Sequence, residues 1–124
     1  MRDEEYRTIN VWVGKKEGFS ERNQKTSHGD DVEFEGIELA VHVMAGEVAD
    51  EVTQTLYETE DRRLIVHLKE ESRYHLFTTV CTLCEVTEDD LRLDGKFALL
   101  GAKCERFRRP LTLDEALERY GDTS

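Results

Sequence analysis

What this sequence has little of narrows its class before anything else. Three cysteines are an odd number and a poor disulfide framework, so they read as reduced thiols in a cytoplasmic setting. Basic residues are scarce: 17 Lys and Arg stand against 28 Asp and Glu, for a formal net charge of −11. A field of that sign repels nucleic-acid phosphate and anionic membrane at long range, which disfavours both and leaves basic partners or cations. No apolar run reaches the length of a membrane-spanning helix. The first residues, Met1-Arg2-Asp3-Glu4-Glu5, are acidic and lead into no apolar stretch, so they do not read as a secretory signal. H-E-x-x-H, nucleophile-elbow and phosphate-loop patterns are missing; Gly14-Lys15-Lys16 lacks the other glycine and the Ser/Thr of a P-loop.

What is there reads as one folded domain over 1–124. A chain of 124 residues can bury roughly two thirds of its unfolded surface. Its apolar residues fall in alternating runs instead of being diluted, which is the pattern of a core and not of disorder. The carboxylates are spread along the chain, and lysine is scarcer than arginine. Both features suit a protein bathed in salt, as in a halophile, and equally an ordinary acidic cytosolic protein.

The organising stretch is Glu51 to Lys69, two antiparallel strands (52–58 and 63–69) joined by the polar turn Thr59-Glu60-Asp61-Arg62. Pairing Glu58 with Arg63 would put Tyr57, Thr55 and Thr53 opposite Leu64, Val66 and Leu68 on the core side. Upstream, Ile9, Val11 and Val13 alternate through a first strand. A polar, glycine-containing stretch over 15–31 reads as a long loop. Then Val32 and Phe34 are in phase, as are Ile37, Leu39, Val41 and Val43, with the phase changing across Glu35-Gly36. A bulge or two-residue turn at the glycine would do this. Downstream, 73–86 fits a strand or a helix, and its Thr, Val, Phe and Tyr content favours the strand. Thr87 is placed to cap a short helical turn, and 97–107 reads as a last strand. Thr112 and Glu115 form a capping box for a helix whose Leu113, Ala116, Leu117 and Tyr120 make one apolar face ended by Gly121. The expected fold is α+β: a mainly antiparallel sheet of five or six strands, able to curl toward a barrel, with this C-terminal amphipathic helix docked on it.

Candidate chemistry is sparse. Cys81-Thr82-Leu83-Cys84, with Cys104 and one of His42, His67 or His75, has the donor types of a zinc site. Against it, residues i and i+3 of a regular strand point to opposite faces, so buried apolar thiols and no cofactor are the favoured reading. Asp89-Asp90 with neighbouring carboxylates has oxygen ligands for a divalent cation but suits a helix first turn better. Lys103, Arg106, Arg108 and Arg109 concentrate base near an ordered element, either paired internally with Glu105 or Glu115 or available to an anion or an acidic partner. A ligand pocket, if the sheet closes on one, would be lined by His42, His67, Tyr57 and Tyr74. No convergent catalytic set is visible. The leading expectation is therefore a non-enzymatic binding or regulatory module acting through its surface or by dimerising. A small enzyme or ligand-binding barrel is the alternative, and an acidic decoy that mimics nucleic acid is a third.

Overall fold

A computed structural model describes residues 6–18, 24–46, 49–73, 77–92, 94–108 and 110–121. They form a closed antiparallel barrel of five strands in meander order: β1 (Arg7–Gly18), β2 (Gln24–Met44), β3 (Glu51–Thr59), β4 (Leu64–Ser72) and β5 (Phe77–Val86). Short helices follow: α1 (Glu88–Leu91), α2 (Ala98–Gly101), α3 (Glu105–Arg108) and α4 (Leu113–Tyr120). No helix among the described residues is long and apolar enough to cross a membrane.

In a flat five-stranded meander the first and last strands run parallel. Here Gly14–Gly18 of β1 pairs antiparallel with Phe77–Cys81 of β5, so the sheet must fold sharply over on itself. The long β2 is where partners change: residues 24–36 pair with β1, and residues 36–44 pair with β3. Gly36 stands in both ladders. A Cβ there would come within 2.8 Å of the Glu58 carbonyl oxygen and 2.9 Å of the Phe34 ring, so the hand-over requires glycine. The phase change at Glu35-Gly36 is thus neither a turn nor a bulge. The bulge lies further on, where the register jumps between Glu38 and Ala40. It leaves Leu39 as the extra residue and inverts the faces beyond it. Val41 and Val43 are consequently exposed, while Ala40 is buried.

The β3–β4 hairpin forms where its pattern places it, in a register one residue from the expected one. Glu58 lies opposite Leu64, Tyr57 opposite Ile65, Thr55 opposite His67 and Thr53 opposite Lys69. The cause is the turn. Arg62 takes a positive φ of 68°, and the Thr59 N–H donates to the Arg63 carbonyl at 2.9 Å. The Thr59 hydroxyl bonds Asp61 and also accepts from the Arg63 N–H. A turn that ends in a left-handed residue adds one position to the loop and moves the ladder by one.

That register gives the wall two different faces. One carries rows Leu56–Val66–Cys84, Glu58–Leu64–Val86 and Gln54–Leu68–Thr82. Leu56, Leu64, Val66 and Val86 on this face join Leu91, Phe97, Leu100, Cys104 and Phe107 in the main core. The span expected as a last strand, 97–107, is therefore helical turns. Its buried residues 97, 100, 104 and 107 follow helical spacing. Glu58 is a charged residue on this face: its side chain is 4% exposed and paired with Arg106 of α3, Oε2 to Nη2 2.8 Å. The Tyr6 hydroxyl approaches its other oxygen at 3.4 Å. Arg63, the expected partner, binds Glu85 instead.

Two further expectations change. The polar stretch read as a loop over 15–31 is, where described, paired strand: the β1–β2 ladder continues out to Gly18 and Gln24. Its outer positions Lys15, His28, Asp30 and Asp31 are exposed, so alternating apolar residues are not needed there. At the other end, Thr112 and Glu115 form the expected capping box of α4. Its Leu113, Leu117 and Tyr120 are each more than half exposed, however, and do not dock on the sheet.

Candidate functional site: a polar cleft inside the barrel wall

The second face of the wall carries rows Thr55–His67–Leu83, Thr53–Lys69–Cys81 and Glu51–Glu71–Thr79. With β1 folded across from it, this face bounds a cleft of about 390 Å³. Tyr57, His67, Lys69, Glu71, Thr79 and Cys81 contribute from β3 to β5, Phe77 from the start of β5, and Asn10, Val11, Trp12 and Lys16 from β1. Two of the expected ligand-pocket residues, Tyr57 and His67, meet here. His42 does not. It stands opposite Gln54 on the other face of the wall, and both its ring nitrogens are buried without a hydrogen-bond partner. Tyr74, like His75, lies outside the described residues.

His67 spans the cleft: its Nε2 lies 2.8 Å from the Trp12 carbonyl oxygen. A carbonyl can only accept, so Nε2 carries a proton and donates to it. Tyr57 packs edge to face against Phe34, with ring centroids 5.4 Å apart. Burial, then the Glu38 carboxylate, raise the Tyr57 phenol above its ordinary pKa, against the opposing pull of Arg7. Lys16 lies 4.3 Å above the Trp12 ring, and Lys69 pairs with the buried Glu71 at 3.3 Å. Burial also raises the Cys81 thiol, outweighing the lowering influence of Lys69 and Lys16, while Glu71 adds to the rise. Cys81 is therefore a protonated thiol at neutral pH and a poor nucleophile.

The other sequence candidates do not converge. Cys81 faces the cleft, whereas Cys84 belongs to the opposite face and packs against the core cluster that holds Cys104. All three are free thiols, and among the described residues no group of three or more His, Cys, Asp or Glu is placed to hold a metal. Asp90 closes the capping box of α1 with Thr87. Of the basic cluster, Arg106 turns inward to Glu58, neither Glu105 nor Glu115 being its partner. Lys103 and Arg108 are exposed, and Arg109 lies outside the described residues. The cleft residues that composition and spacing miss are Trp12, Lys16, Lys69, Glu71 and Thr79. Lys69 and Glu71 belong to the second face of the hairpin, whereas Trp12, Lys16 and Thr79 come from β1 and β5, which no local pattern places there.

Compared with protein-family models, curated proteins and solved structures, the chain matches none.

Proposed function

We propose that this protein is a small non-enzymatic binding module whose barrel interior holds a small organic ligand. The observation that carries the reading is the division of labour across the wall. One face, through Leu56, Leu64, Val66 and Val86, is covered by helices and makes the main core, while the face turned into the barrel sets Thr55, His67, Lys69, Glu71 and Thr79 beside Tyr57 and Leu83. Lining an interior with polar groups costs stability unless they find partners, and stability alone would favour apolar residues there. A concave site with a few convergent polar groups is the usual form of a ligand pocket. Binding without turnover is supported by the chemistry in the cleft: the thiol is protonated, and one nitrogen of His67 is committed to a backbone carbonyl. Unpaired thiols support a cytoplasmic location.

Native mass spectrometry of freshly purified protein tests this. The expected result is an organic adduct that is released on denaturation and absent from Tyr57→Ala and His67→Ala variants. Turnover of a substrate, or an adduct retained by both variants, would overturn it. A second reading, docking of another protein on the surface, is favoured by one observation, the exposed Leu113, Leu117 and Tyr120 stripe of α4.

A further inference from the structure

We infer that the cleft takes a small aromatic anion, an aromatic carboxylate being the simplest member of the class. The inference rests on the barrel interior being a ligand site, and adds what that site selects. In a chain of net charge −11, two ammonium groups, Lys16 and Lys69, line this cleft against one carboxylate, Glu71. Glu71 is already engaged by Lys69 at 3.3 Å, and Lys16 sits over the Trp12 ring. The local sign is therefore opposite to that of the molecule, and a low-dielectric cleft concentrates that local field. An anion arriving here gains the Lys16 ammonium, with Lys69 beside it already held by Glu71. The neutral walls are aromatic: Trp12, Tyr57 and Phe77 face the same space, which suits a ring more than an aliphatic chain.

The test uses 1-naphthoate and its neutral isostere 1-naphthamide as probes, titrated by calorimetry into the full chain. Trp12 is the only tryptophan, so its indole N–H gives a single ¹H–¹⁵N cross-peak that reports the site. The expected result is saturable naphthoate binding that shifts this peak, at least about fivefold tighter than naphthamide, as one desolvated ion contact provides. The Lys16→Met variant, and Lys69→Met made together with Glu71→Gln so that no carboxylate is stranded, should erase that preference. Lys16 and Lys69 are both partly solvent-exposed, and an unchanged spectrum away from the cleft verifies that each variant folds. Equal binding of the two probes, or a preference that survives in both variants, overturns the anion inference while the ligand-binding reading stands. If neither probe moves the Trp12 peak, the aromatic-anion inference falls, and the ligand-binding reading is decided by the native mass spectrum.

Discussion

Replacing Arg106 by methionine removes the cation that neutralises Glu58 and keeps the aliphatic bulk over Phe107, whose ring lies 4.8 Å from the guanidinium. The Glu58 carboxylate, its side chain 4% exposed, would then keep only the 3.4 Å approach of the Tyr6 hydroxyl. Breaking a fully buried pair costs about 3–5 kcal/mol, but the Arg106 side chain is 39% exposed and water screens part of its charge, so about 2 kcal/mol is expected. In a domain of this size that is a fall in Tm of roughly 6–10 °C. Glu58→Leu, by contrast, puts an apolar side chain opposite Leu64, and should change stability by less than about 1 kcal/mol. The double variant should return to within about 1 kcal/mol of the parent, a coupling visible in a urea-denaturation cycle with unchanged m-values. If Arg106→Met alone cost less than about 0.5 kcal/mol, or the cycle showed no coupling, the account of how a glutamate is accommodated in the apolar face would be wrong.

Gly14 has φ 140°, and a Cβ there would collide with the His28 carbonyl oxygen. Gly14→Ala should destabilise by at least about 2 kcal/mol, read as a lowered denaturation midpoint. Tyr57 has its pKa raised by burial and by Glu38, so folding favours the neutral phenol. Its contribution is fully present below the phenol's unfolded pKa and is lost as pH rises through the higher folded value. The alkaline limb of stability against pH should therefore be shallower in Tyr57→Phe, and the parent's absorbance titration should show a late-ionising tyrosine. Leu113 and Leu117 are exposed, so the double replacement by serine should move the midpoint by no more than about 0.5 kcal/mol; a larger loss would mean that α4 docks on the barrel in solution.

Much of the fold was legible in the residues, and the failures have identifiable physical causes. The hairpin, the strand at 77–86, the Thr87 cap and the Thr112 capping box rest on short-range chemistry that sequence displays directly. The register did not. Nothing in Thr59-Glu60-Asp61-Arg62 advertises that an arginine will adopt positive φ, and that single torsion exchanged which face of β3 meets the core. Glu58 then lies among apolar side chains, which alternation alone argues against; its partner is 48 residues away. The same distance effect hid the cleft. Trp12 and His67 meet only because β1 folds across the wall, so Tyr57 and His67 were readable as candidates while Lys16 and Glu71 were not. At 97–107 a helical spacing of Phe97, Leu100, Cys104 and Phe107 was present and was outweighed by the β-like start of the segment.

The seam that closes the barrel is short. Five register pairs, from Gly14 with Cys81 to Gly18 with Phe77, join β1 to β5, whereas β4 and β5 are paired along nine positions. The seam borders the cleft, and the helix-covered core lies on the far side of the wall. Unzipping it would break few bonds and leave that core intact, as expected of the least stable cooperative unit in a protein. Backbone amides of Gly14–Gly18 should accordingly exchange with solvent faster than those of the β4–β5 ladder, since opening this seam does not require global unfolding.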